Sequence, residues 1–243
     1  TGAAVSVMLI RAGVSPIATL PIAFLAGALA GMVTGLLNTA LGIPGILASI
    51  LTQISLYSIN LNIMGKANQP VSVDNYPLVV SLRYVTDGSV SRLLFFLGMI
   101  VFLLALIAVM YWYFGTEQGH AIRATGCNSN MARAQGINTN FIKVLALMIS
   151  NGLVGLCGAL YGQFQGASDV NMGRGAIVIG LAAVIIGEVL FGKFASKRKL
   201  AFAFTLASVI LGAVIYYMVY QFVLWLKMPS EDMKLFSAIV VAI

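Results

Sequence analysis

The chain has 243 residues, 60% of them hydrophobic and only 9% charged, and carries a formal net charge of +7. Water-soluble domains hold about 25% charged residues, so a soluble fold is excluded. The basic excess is read as membrane-orientation charge, because no base-stacking aromatics interleave with a basic stripe and nucleic acid is not an expected partner.

Residues 3–10 form an apolar run too short to cross a bilayer, which takes about 20 residues. Spans are predicted at 16–37, 46–61, 94–114, 141–163, 176–191 and 200–226. Those at 46–61 and 176–191 are short. They are expected to stand upright, to thin the bilayer locally, or to be broken helices lining a cavity. Apolar sequence runs into both ends, so partial helices are expected there and the chain reads as a piece of a longer polytopic protein. There is no secretory signal with a cleavage site. The expected fold is all-α, a polytopic transmembrane helical bundle forming one domain over 1–243, with six or so complete spans.

Gly27, Gly31 and Gly35 recur every fourth residue and share one helical face, and Asn151, Gly155, Gly158 and Gly162 fall within a narrow arc of a later span. Small residues so spaced let a neighbouring backbone approach closely, and packing inside one subunit is the plainer reading than a dimer contact or pathway lining. Cys127 and Cys157 are expected at a membrane surface and in mid-membrane, too far apart for a disulfide.

Alternation puts loops 38–45, 115–140 and 192–199 on one side, and 11–15, 62–92, 164–174 and 227–232 on the other. The first set holds Arg123, Arg133, Lys193, Lys197, Arg198 and Lys199, with Glu117 its only acid. The second mixes basic residues with Asp74, Asp87, Asp169, Glu231 and Asp232. Short loops rich in Lys and Arg face the cytoplasm, so 192–199 and 115–140 are expected there.

A bare connector needs only a few residues, so the long 115–140 loop requires a reason. Asn128 and Ser129 can cap a helix, Met131-Ala132-Arg133-Ala134-Gln135 is a strong helix-forming run, and Gly136 stops it. One short helix of at most two turns is predicted outside the membrane. Too short to persist alone in water, it must be held by neighbours or by a partner protein. Arg123 and Arg133 can pair with acidic groups of that partner, or serve only as orientation charge beside lipid headgroups.

The stretch from Gly119 to Phe141, with Ala124-Thr125-Gly126-x-Asn128 followed by Met131-Ala132-Arg133-Ala134-Gln135-Gly136-Ile137-Asn138, resembles the coupling loop of ATP-binding-cassette importer permeases. The resemblance lies in the branch that includes branched-chain amino acid and ribose permeases. Residues 56–68, 168–173 and 178–188 look like a narrower subgroup, the permeases of tryptophan- and tyrosine-type uptake systems. The resemblance implies a multi-pass protein of a prokaryotic inner membrane that moves a small solute inward, most plausibly an amino acid. It implies a cytoplasmic ATPase whose groove takes the helix near 128–136, through Gly119, Arg123, Ala124, Gly126, Asn128, Met131, Ala132, Arg133, Gly136 and Ile137. It implies an extracytoplasmic substrate-binding protein at loops 62–92 and 164–174, a second permease copy forming a homodimer, and contact with membrane lipid. ATP and Mg would be bound by the ATPase, and no cofactor by this chain.

Ser49, Gln53, Tyr57 and Asn60 share a helical face, and a polar stripe on a membrane helix must meet protein or water. They either line the substrate path or join helices, and Asn151 is a further pathway candidate. Glu188 is the only acid inside an apolar run, and either works at the pathway or pairs with the Lys193–Lys199 cluster. His120 is the sole histidine and has no second ligand beside it, so no metal site is expected. No nucleophile–base pair, paired carboxylates or Gly-x-x-x-x-Gly-Lys-Ser/Thr loop is present, so no catalytic residue is assigned. An ion-coupled secondary transporter is the alternative, but it would need several buried ionisable groups where only Glu188 stands.

Overall fold

The computed structural model describes residues 1–71, 78–81, 89–173, 176–195 and 201–225. In chain order its elements are α1 (Gly2–Arg11), α2 (Pro16–Thr39), α3 (Gly45–Met64), β1 (Asn68–Pro70), α4 (Ser89–Phe114), α5 (Glu117–Cys127), α6 (Ser129–Ala134), α7 (Thr139–Gln165), β2 (Ala167–Asp169), α8 (Ala176–Ala195) and α9 (Ala201–Trp225). Among the described residues five helices are long and apolar enough to cross a membrane: α2, α3, α4, α7 and α9. The two segments expected to be short are not. Both α3 and α8 run to 20 residues, about 30 Å and a full hydrocarbon thickness. Polar ends such as Asn62 and Lys193 masked the extra turns.

The helices fall into two compact units, Thr1–Ile100 with Phe114–Met172, and Val101–Tyr113 with Gly173–Ile243. In the first, α2 lies along α7 at backbone contact. A Cβ on Gly27 would sit 2.3 Å from the Asn151 carbonyl oxygen, one on Gly31 2.3 Å from that of Leu147, and one on Gly35 2.9 Å from Val144 Cα. From α7, Gly155 meets the Ala23 carbonyl while Gly158 and Gly162 meet Ala3 of α1. Both predicted stripes are therefore internal packing seams, in which close approach gains van der Waals contact where lipid offers no hydrophobic drive. Thr34 and Thr52 join α2 to α3 by a 2.9 Å hydroxyl bond.

The opposite end of α7 from α6 is tied by a buried polar cluster. Gln163, 1% exposed, donates from Nε2 to Pro16 O (3.2 Å), Thr19 Oγ1 (3.2 Å) and Ser6 Oγ (3.3 Å). Its Oε1 accepts from the Val79 amide at 3.2 Å. Beside it lies a short antiparallel ribbon that sequence patterning did not reveal, pairing Asn68 with Asp169, Gln69 with Ser168 and Pro70 with Ala167. Three-residue strands of Asn, Gln, Pro, Ala, Ser and Asp lack the alternation and β-branching that mark strands. Val7, Ile10, Val71 and Leu78 pack as an apolar cluster nearby.

In the second unit, α8 and α9 cross at small residues. A Cβ on Gly187 would lie 2.4 Å from Ser208 O, and one on Gly212 2.1 Å from Ala183 O.

Candidate functional site: the capped helical corner at residues 116–139

The link between α4 and α7 is two helices, not the single one expected. Thr116 caps α5, its Oγ1 accepting the Gly119 amide at 3.4 Å, with Glu117 in the first turn, where a carboxylate complements the helix dipole. Gly119, Thr125 and Gly126 depress helix propensity and hid α5 from sequence reading. The Thr116 cap and Glu117 were the signals that could have revealed it.

Asn128 then turns the chain. Its backbone is extended (φ −153°, ψ 101°), closing α5 and opening α6 at once. Its Oδ1 accepts the amides of Asn130 and Met131, both at 3.1 Å. At the far end Gly136 takes φ +84°, donating to Arg133 O (3.0 Å), while Ile137 donates to Ala132 O (3.1 Å). That pair of bonds is the Schellman ending, and the left-handed φ is what asks for glycine. Asn138 caps α7 through the Phe141 amide at 3.2 Å, and Arg133 Nη2 donates to Thr139 Oγ1 at 3.1 Å. A six-residue helix with too few internal bonds to persist alone is thus fixed at both ends.

The corner has one face turned in and one turned out. Ala132 is 3% exposed, and Gly119 and Thr125 are buried. Met131 is 62% exposed, and Arg123, Ala124, Gly126, Asn128, Arg133 and Gly136 are exposed, with Ile137 half-buried. Thr116, Asn138 and Thr139 were not singled out in the sequence, yet they hold the corner. His120 is exposed on α5, and no group of three His, Cys, Asp or Glu residues stands together among the described residues. Cys127 and Cys157 are free thiols.

The other candidates separate. Ser49, Gln53 and Tyr57 are exposed on α3, with Ser49 Oγ bonded to Gly45 O at 2.7 Å. Gln53 and Tyr57 make no side-chain bond among the described residues. Asn60 leaves this set: it is 8% exposed and donates to Thr1 Oγ1 at 3.3 Å, where α1 covers the end of α3. Asn151 lies in the α2–α7 seam, donating to Leu147 O at 2.9 Å rather than facing an open path. Glu188 is exposed on α8. The side chains of the Lys193–Lys199 cluster lie outside the described residues, so its pairing with Glu188 does too.

Comparison with known proteins agrees with this architecture. Residues 1–243 match the family described as the permease component of branched-chain amino acid transport systems. The chain is 38% identical over 240 residues to a tyrosine transport system permease protein of Clostridioides difficile, covering 99% of this chain and 76% of that one. It is 30% identical over 225 residues to an uncharacterised protein of Rickettsia prowazekii, covering 91% and 75%. It is 28% identical over 226 residues to the autoinducer 2 import system permease protein LsrC of Yersinia pseudotuberculosis, covering 92% and 59%. No solved structure matches. The chain belongs to this family of ATP-binding-cassette permeases. It is a multi-pass protein of the bacterial inner membrane and the permease subunit of an importer, a transport component rather than an enzyme. Membership implies an ATPase and a substrate-binding protein as partners.

Proposed function

We propose that the α5–α6 corner is the grip of the importer's cytoplasmic ATPase, and that the solute carried inward is an amino acid, with an aromatic one such as tyrosine the first to test. The observation that carries the grip is the corner itself: a six-residue helix capped at both ends, with Met131 and Arg133 outward and Ala132 inward. A rigid element of this kind passes rigid-body movement to the spans it joins. ATP and Mg reside on the partner, whose closure and release on hydrolysis move α6 and, through Arg133 and Thr139, α7. The Arg123 and Arg133 guanidiniums suit acidic groups in the partner's groove.

The tyrosine assignment is supported by the name of the Clostridioides difficile relative and by α3. Gln53 and Tyr57 put unbonded polar groups on a face that no helix of the first unit covers, and such a face on a membrane helix needs water or protein opposite it. A second copy of the permease, enclosing a path between two α3 helices, meets that need.

The test is uptake into proteoliposomes holding the permease, its ATPase and its binding protein. Tyrosine uptake should require ATP and persist when ionophores collapse the proton and sodium gradients. Uptake that follows an ion gradient and ignores ATP would overturn the reading in favour of a secondary transporter.

A further inference from the structure

A cavity of about 670 Å³ opens beside the corner, between the end of α2, the last turn of α5, the start of α6 and the first turns of α7. Its wall has two different parts. The polar part holds Asn38, Thr125, Asn128, Ser129 and Lys143, and no carboxylate. The apolar part continues down α7 to Leu147, eight residues past Thr139 and so about 12 Å along the helix axis.

Three groups in the polar part have unmet capacity. Lys143 is half-exposed and makes no ion pair or hydrogen bond among the described residues. Thr125 is 7% exposed, and its buried Oγ1 has no hydrogen-bond partner, although a helical threonine hydroxyl ordinarily bonds a backbone carbonyl one turn back. Asn128 spends its Oδ1 on the α6 cap, and its amide nitrogen makes no bond among the described residues. A cation, a hydroxyl and an amide donor with no acid among them suit the oxygens of a phosphate.

We propose that this cavity holds the phosphate headgroup of an anionic phospholipid, with the glycerol and the first acyl carbons against Ile142, Ala146 and Leu147. The apolar floor is what favours lipid over soluble phosphate: α7 is long and apolar enough to span a membrane, so a cavity that follows its first turns to Leu147 would run from headgroup level towards the hydrocarbon. A free phosphate would satisfy Lys143 and leave that floor to water. Basic pockets between spans at the membrane surface suit anionic headgroups on electrostatic grounds. The bound lipid would wedge α5 against α2 and α7 at the root of the corner. The site stands on its own geometry and does not depend on what α6 grips.

The experiment uses the full-length permease reconstituted into nanodiscs, with Cys127 in the cavity wall as a native reporter. N-ethylmaleimide should label Cys127 roughly fivefold more slowly in phosphatidylglycerol than in phosphatidylcholine discs, and Lys143→Gln should abolish that difference while Lys143→Arg keeps it. Native mass spectrometry should find one phosphatidylglycerol retained per chain, lost about tenfold more readily from Lys143→Gln and weakened in Thr125→Val but not in Thr125→Ser. Equal labelling of the wild type in the two lipids, a reading that needs no variant, would overturn the proposal. So would undiminished lipid retention by Lys143→Gln. Protection of Cys127 by millimolar glycerol 1-phosphate in phosphatidylcholine discs, equal to that by phosphatidylglycerol, would also overturn it, because the ligand would then be a soluble phosphate.

Discussion

The Arg133 guanidinium reaches from the last turn of α6 to the Thr139 hydroxyl in the first turn of α7, 3.1 Å away. The two stand six positions apart in the chain, and the glycine turn at 136 lies between them. The bond therefore bypasses the one left-handed residue of the link, so a push on α6 does not have to pass through the turn. On the proposed grip, a push on α6 would enter α7 at Thr139 and cross the glycine seam into α2.

Arg133 is exposed, so its bond is screened and should contribute less than about 1 kcal/mol to stability. Its loss should appear in coupling instead. Thr139→Val keeps the buried shape and removes the acceptor. We expect ATP-driven uptake to fall several-fold while ATPase co-purification and the melting temperature hold. Arg133→Glu should detach the ATPase as well. Unchanged uptake in Thr139→Val would remove the bond from the transmission route, and unchanged co-purification in Arg133→Glu would remove the arginine from the grip.

At Gly136 space is not the constraint, since a Cβ there would meet nothing within 4 Å. Conformation is: at φ +84° an L side chain costs about 1 kcal/mol. Gly136→Ala should loosen the end of α6 by that amount, seen as faster trypsin cleavage after Arg133. Gly136→Asn, which tolerates the left-handed region better, should do so less. Gly136→Pro should be worst, because it also deletes the amide that bonds Arg133 O. Equal cleavage rates for the alanine and asparagine variants would mean that φ does not govern this turn.

The spans were legible because each is a long apolar run, and α2, α4 and α7 end within a few residues of their predicted limits, except that α4 begins earlier, at Ser89. The Asn128 cap and the Gly136 stop were also legible, since each is a local event written in one or two side chains. What escaped was of two kinds. Helix α5 is held by tertiary contact despite Gly119 and Gly126, so propensity pointed the other way. The ribbon and the Gln163 cluster join residues up to 157 positions apart, and no local pattern announces such pairs. Asn60 shows the same limit: helical spacing puts it with Ser49 and Gln53, but α1 covers that end of the face.

Two glycines in apolar helices should respond in opposite ways. Gly31 in α2 faces the Leu147 carbonyl, and a Cβ would stand 2.3 Å from that oxygen. Gly98 in α4 faces nothing within 4 Å. Gly31→Leu must force α2 from α7 along their main seam, and little folded permease should be recovered by detergent size-exclusion chromatography. Gly98→Leu should be recovered at the wild-type yield. Similar yields for both would mean that the seam is not what holds the first unit together.

Gln163 offers the sharpest test of the outer tie, because one side chain serves four groups. Its Nε2 meets Ser6, Thr19 and Pro16 O, and its Oε1 takes the Val79 amide. Ser6 and Thr19 also bond each other at 2.9 Å, and Thr19 donates to Pro16 O at 2.7 Å, so those three keep partners without it. Val79 has no such substitute in the cluster. Gln163→Leu should therefore cost about 1–3 kcal/mol, through the lost bonds of a buried amide, the lost tie to Val79 and the lost packing. The cost should appear as a lower melting temperature and as proteolysis concentrated near residues 78–81. Gln165→Leu, two residues on and exposed, should change neither. If the Gln163 variant melts with the wild type, or is cleaved no faster near Val79, the side chain is a passenger rather than the fastener of that segment to α7.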